Sequence, residues 1–369
     1  MNYKRKIQEI RFMTRVYPFL KSTALLCARS MAPLLALRQK SHFSPQAIYV
    51  LLQKPLGLGD LLMLSPFLLE LSARSHALPV FIVTEYPEFF TIPNAQWIGP
   101  EELTAGRCEH ALVLSPTLSW KHARYLLHAG WVLGYFLSDH LMCNFTRSTV
   151  RYNARQSHYF DRTFPISSIL DALWASPSAG PEYPVIMQEP FRAVELPETY
   201  CCIAPYSNWP ERQYPKDSWA QVIKALQKYF PVVLIGGRAP AELAMAEELA
   251  QGGAVNLVGR TTIAEVAGII AQSRIFLGND AGLSHIAVLS APASVVIFGC
   301  VGGKQRIPLD SELAAHIRVL GGGSSCSSFP CYNGFSRPVC NNHEQYQCLG
   351  SISPEAVVDE ALSLIEECG

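Results

Sequence analysis

The sequence is short of charge. Only 16% of its 369 residues are Asp, Glu, Lys or Arg, 49% are hydrophobic, and 30 bases cancel 30 acids. A general nucleic-acid binder needs a basic surface, so that class is excluded. Long disordered tracts need low hydrophobicity, so they are not expected either. No uninterrupted apolar run is long enough to span a bilayer. No G-x-G-x-x-G with a following ribose-binding acid occurs, which argues against a nicotinamide enzyme. Nor does any Cys-x-x-Cys pair.

What charge there is lies unevenly. Residues 1–40 hold nine Lys or Arg and one acid, Glu9, leaving an acidic body behind a basic leader. Lys21 and Arg29 interrupt its apolar stretches, and no small-residue cleavage site stands out, so it does not read as a signal peptide. Ile7, Ile10, Val16, Phe19, Leu20, Cys27, Met31, Leu34 and Leu35 recur at roughly helical spacing, with Pro18 and Pro33 as breaks. Residues 1–45 are therefore read as a basic amphipathic segment. Such a segment either lies on an anionic membrane surface or packs on the body.

The length fits two domains. From residue 46 short apolar runs alternate with helical stretches, the pattern of a parallel α/β sheet. Strands are expected at 48–52, 80–83, 111–114 and 131–135, with a helix at 61–74. Pro181, Pro184, Pro190 and Pro197 mark a linker, placed at 186–199 between domains 46–185 and 200–353. Past it the alternation restarts: strands at 201–204, 232–235, 255–258, 275–277 and 293–298, helices at 216–229, 240–251, 263–272 and 283–289. Pro354 is placed to open a last helix over 354–369. Two such α/β units suggest two doubly wound domains facing a cleft.

Four constellations fall between a strand and a helix, where free helix amides meet anions. Gly57-Leu58-Gly59-Asp60 has two glycines for a tight turn, and an acid suited to a helix cap or a general base. Gly278-Asn279-Asp280-Ala281-Gly282-Leu283-Ser284-His285 lets a phosphate sit on the amides of Ala281 and Gly282. There Asp280 can hold sugar hydroxyls or cap the helix, and His285 can donate to phosphate. Arg212, in the loop 205–215, is a permanent forked cation for a diphosphate, or a surface arginine. Gly236-Gly237 is followed by Glu242, which either takes ribose hydroxyls or is a solvated residue at a helix start.

Together these segments resemble the bacterial heptosyltransferase family, glycosyltransferase family 9, from about residue 47 onward. The most specific pieces are Gly59 to Pro66, Asp280 to His285, and the run Ala291 to Gly299. The resemblance implies the GT-B fold and an inverting, metal-independent transfer of a heptose or related sugar. The donor would be a nucleotide diphosphate sugar, and the acceptor a lipid-linked, lipopolysaccharide-core-like or other cell-surface glycan. It implies Asp60 as general base beside the acceptor-side loop Gly57 and Gly59, and Arg212 on the diphosphate. Glu242 would meet the nucleoside, and Asp280, Ala281, Gly282 and His285 the sugar and phosphate. Ala281 stands where the family usually has Thr or Ser, Arg212 replaces a common Lys, and Tyr214 the usual Trp. The implied location is cytoplasmic, peripheral on the inner face of the inner membrane. Two alternatives stay open: an epimerase or hydrolase on the same fold, and a degenerate binding partner without catalysis.

Of eleven cysteines, four cluster within residues 326–348: Cys326, Cys331, Cys340 and Cys348. Four thiolates can hold zinc or iron tetrahedrally. A structural metal, with His343 as a substitute ligand, is one expectation; unligated thiols in an ordered loop are the other.

Overall fold

A computed structural model describes residues 46–52, 57–75, 78–109, 111–115, 131–134, 140–142, 149–151, 182–303, 306–308, 311–321, 326, 329–331 and 339–368. The basic leader, most of 116–181 and half of the cysteine-rich loop lie outside them.

Two parallel sheets form the body. The first uses β1 (Ala47–Leu51), β2 (Val80–Val83), β3 (Ala95–Ile98), β4 (Ala111–Ser115) and β5 (Trp131–Gly134), in the order β3-β2-β1-β4-β5. A small antiparallel pair follows, β6 (His140–Met142) and β7 (Thr149–Arg151). The second sheet holds β8 (Cys201–Ala204), β9 (Val232–Leu234), β10 (Val255–Asn256), β11 (Ile275–Asn279), β12 (Ser294–Phe298) and β13 (Ile317–Gly321). Its order is β10-β9-β8-β11-β12-β13. In both sheets the order in which strands are added reverses at one point, between β1 and β4 and between β8 and β11. Ligands of doubly wound folds bind beyond the strand ends at such points.

Sequence sets which face each residue covers. Strand side chains alternate, so Cys201, Ile203, Val232, Leu234, Ile275 and Leu277 enter one core while Cys202, Val233 and Phe276 enter another. The first core is closed by Trp219, Val222 and Leu226 of α3 (Lys216–Leu226) and by Val357, Ala361 and Leu364 of α9 (Pro354–Cys368). The second is shared between the two units. Ile48, Val50 and Leu68 from the first sheet and its helix meet Ile269, Ile286 and Ala287 from the second. The units are thus joined by buried apolar surface, each such side chain contributing about 1.5–3 kcal/mol.

Three helices carry the site. α1 (Leu58–Arg74) follows β1, α5 (Ile263–Gln272) follows β10, and α6 (Gly282–Ser290) follows β11; α4 (Pro240–Ala250) adds Glu242 at its start, and α2 (Ala105–Cys108) lies outside this group. α1 begins three residues earlier than the sequence reading places it and contains Pro66. Proline has no N–H, so the carbonyl of Leu62 loses its helical donor. The Ser65 hydroxyl donates to that carbonyl instead, at 2.6 Å. The helix therefore runs through its proline without a broken partner.

The segment expected as linker is tied down at its start. Met187 N–H donates to Phe89 O at 2.9 Å, and Glu189 N–H to Ala264 O at 3.0 Å at the start of α5. A Cβ at Gly268 would lie 2.4 Å from Glu189 O, so the chain passes flush over that helix.

Candidate active site

The ends of β1, β8, β9 and β11 open on a cleft of about 610 Å³. All four constellations singled out in the sequence line it: Gly57, Gly59 and Asp60; Arg212; Gly236, Gly237 and Glu242; and Asp280 to His285.

The two helix starts on either side of the cleft touch. Gly59 has no side chain because His285 occupies the space: a Cβ there would lie 2.4 Å from His285 Cδ2. A Cβ at Gly282 would stand 3.2 Å from Leu58 Cβ and 3.7 Å from Gly59 N. Glycines on both sides let two sets of N-terminal amides share one space, and both helix dipoles make that space attractive to anions.

Asp60 sits at the third position of α1, and its Oδ2 accepts the Gly57 N–H at 2.8 Å. The N-cap is Gly57 rather than Asp60, and this bond runs back to it from the first turn. It also fixes the carboxylate at the rim of the cleft. Tyr86 lines the cleft nearby; burial first, and then the Asp60 and Glu85 charges, push its hydroxyl above its ordinary value.

Asp280 is placed differently from either sequence reading. It does not cap α6, whose N-cap is Ala281. Its side chain is 0% exposed, so as placed it meets protein cations rather than sugar hydroxyls. Arg212 Nε stands 3.2 Å from Oδ2; Arg306 Nη1 and His285 Nε2 stand 3.6 and 3.7 Å from Oδ1. Burial would push this carboxyl up, but Arg212, Arg306 and His285 more than offset it and hold it well below the usual range. Asp280 is thus a buried anchor that orients Arg212, Arg306 and His285.

The loop bearing Arg212 is held by Asn279, the last residue of β11. Its side chain donates to Pro205 O at 2.8 Å and accepts from Tyr214 N–H at 3.1 Å. Gln213 adds bonds to Ser207 N–H, Pro205 O and Tyr214 O. The Arg212 guanidinium also lies 4.2 Å from the centre of the Trp209 ring. Asn279, Gln213 and Trp209 lay within segments singled out from sequence but were given no role there, and Arg306 was not singled out at all. Asn279 adjoins Asp280 and ends a strand, so an amide at that strand end was a usable signal. Arg306 lay in a loop with no pattern of its own.

Glu242 sits at the start of α4, against the glycine turn. A Cβ at Gly236 would lie 2.4 Å from its Oε1. Burial pushes its carboxyl up, and bonds from Gly237 and Ala239 amides pull it part way back.

The four clustered cysteines gather in one place but not as a ligand set. Among the described residues, no group of three or more His, Cys, Asp or Glu is arranged to hold a metal ion. The sulfurs have other partners: Asn342 Nδ2 donates to Cys326 at 3.4 Å, Tyr346 N–H to Cys340 at 3.3 Å, and the Cys331 thiol faces Cys300 O at 4.0 Å. As placed, these residues do not fit the zinc or iron site expected from their spacing, and His343 does not complete one. The loop instead backs onto Cys300, which sits beside Arg212 and whose thiol burial pushes up to about 11.

Sheet order, helix placement and a cleft between two doubly wound units define a GT-B glycosyltransferase fold. The family model for glycosyltransferase family 9 (heptosyltransferase) matches residues 145–319, just under half of the chain. The lipooligosaccharide heptosyltransferase 2 of Haemophilus ducreyi is 31% identical over 171 residues. That match takes in 44% of this chain and 44% of that protein, so the chain spans less than half of that curated relative's length. The Escherichia coli ADP-heptose lipopolysaccharide heptosyltransferase II structure superposes with a TM-score of 0.60 at 17% identity, covering 87% of this chain and 99% of that one. The iron-containing dodecameric glycosyltransferase TibC of enterotoxigenic E. coli gives 0.60 at 15% identity, covering 88% and 77%. Asp60 lies outside the residues matched by the family model.

Proposed function

We propose that the protein is an inverting glycosyltransferase. It moves a heptose or related sugar from a nucleotide diphosphate sugar to a lipopolysaccharide-core-like glycan. The observation that carries this is the meeting of two helix starts across the cleft, one bearing Asp60 and the other the amides of Ala281 and Gly282 beside Arg212 and His285. One side can take a proton and the other can hold an anion.

In this reading the donor lies along the second sheet. Its nucleoside end rests near Glu242 and Thr262, and its diphosphate on the α6 amides and Arg212. Asp60 takes the proton of the acceptor hydroxyl as that oxygen attacks the anomeric carbon and the bond to the diphosphate breaks. Negative charge then gathers on the leaving diphosphate. Preorganised amides and guanidinium groups meet it without rearranging, so this reading needs no metal for catalysis. The enzyme would work at the cytoplasmic side of the inner membrane, where the basic leader meets the surface carrying its acceptor. No helix among the described residues is long and apolar enough to cross a membrane.

The test is nucleoside diphosphate release from a sugar nucleotide with a truncated lipopolysaccharide-core acceptor. Wild type should turn over, and Asp60→Asn should lose roughly a hundredfold or more in rate while still binding nucleotide. Release without acceptor at the same rate would favour a hydrolase. Full activity in Asp60→Asn would remove Asp60 as the base.

A further inference from the structure

We propose that Arg306 is a second guanidinium for the donor diphosphate, paired with Arg212 through the buried Asp280 carboxylate. This inference rests on the donor-binding reading of the cleft and adds a residue to it.

Arg306 is 3% exposed yet lines the cleft. It reaches there from the loop after β12, where its N–H donates to Gly303 O at 2.8 Å. Burying an arginine is costly unless something holds it. Asp280 does so with one oxygen, at 3.6 Å from Nη1, while its other oxygen meets Arg212 at 3.2 Å. One carboxylate thus draws two guanidiniums from separate loops to one spot at the start of α6. Two like charges brought this close repel each other. A lone arginine with its counter-ion would suffice for packing alone. Two arginines around one carboxylate, beside helix amides, suit a ligand with two adjacent anionic groups. Cys300 lies beside Arg212.

A nucleoside diphosphate offers one phosphate to each arginine; a monophosphate offers a single anionic group for both to share. Arg306 should therefore set the preference for diphosphate over monophosphate rather than nucleoside affinity as such. A merely structural arginine would leave that preference untouched.

Titration calorimetry with ADP, UDP and GDP, each against its monophosphate, tests this on wild type, Arg306→Lys and Arg306→Met. The double variant Arg306→Met with Asp280→Asn serves as well, since it leaves no uncompensated carboxylate if the single variant unfolds. The expected result is a diphosphate preference in wild type that falls roughly tenfold or more in Arg306→Met or the double variant. Arg306→Lys should recover part of it, with monophosphate binding little changed in the single variants; the double variant is read against Asp280→Asn alone. An unchanged preference in a folded variant would make Arg306 a structural partner of Asp280 and overturn the inference alone. Failure of wild type to bind any diphosphate would overturn the donor-site reading itself, and this inference with it.

Discussion

At Gly59 the missing side chain matters more than most side chains that are present. A methyl group there would lie 2.4 Å from the His285 ring, so either the ring or the start of α1 must move. Gly59→Ala should cost about 1–3 kcal/mol of stability, as overpacking does. It should also weaken nucleotide binding, because His285 and Asp280 would shift together. Urea unfolding with parallel nucleotide titration checks both; an unchanged midpoint would mean that the two helix starts are not in contact in solution. The neighbouring Asp60 was legible as cap or base, and the structure shows that one carboxylate can be positioned by capping and still face the cleft. The role of Asp280 was not legible. Its partners Arg212 and Arg306 lie 68 and 26 residues away in the chain, and nothing local in the sequence records that they converge.

At the scale of elements, two devices hold the site in place. Ser65 completes α1 across Pro66 by donating to Leu62 O. Ser65→Ala leaves that buried carbonyl without the hydroxyl and should cost about 1–3 kcal/mol. A calorimetric melt of the folded variant measures it, and Ser65→Thr should restore most of the loss. Asn279 stitches the Arg212 loop to β11 through two hydrogen bonds. Asn279→Ala should weaken diphosphate binding without removing any group that touches ligand. Most strands and helices were readable because parallel strands buried on both faces appear as bare apolar runs. β3 and β13 were missed for the opposite reason: Ala95-Gln96-Trp97-Ile98 and Ile317-Arg318-Val319-Leu320-Gly321 are edge strands, half-buried and mixed in polarity. The cysteine spacing left metal ligation and unligated thiols both open, because four thiols near in sequence carry no instruction about which other groups hold them. Among the described residues, Asn342, Tyr346 and Cys300 do so. A chelator should accordingly leave the melting temperature unchanged.

For the whole molecule, the buried charge cluster links stability to pH. The folded Asp280 carboxyl lies below its ordinary value, so its stabilisation is complete above the unfolded value near pH 4 and is lost as pH falls through the folded one. The stability gap between wild type and Asp280→Asn should therefore be constant from pH 7 to about 5 and shrink below about 4. A gap that widened on acidification would contradict the placement of Arg212 and Arg306 around it. The broad layout of two α/β units came from alternation and a Pro-rich segment. Their mutual packing did not, because no local pattern records that the apolar residues of α1 and α6 face each other.

The central claim is that the cleft between the units holds a nucleotide diphosphate sugar. Thermal shift with ADP, UDP, GDP and CMP and their sugar conjugates, on wild type and Arg212→Ala, tests it most directly. A ligand that binds the folded state raises its melting temperature. One diphosphate and its sugar conjugate should stabilise wild type, and Arg212→Ala should lose most of that response. If no nucleotide shifts folded wild type, the cleft is not a donor site, and the transferase account fails with it.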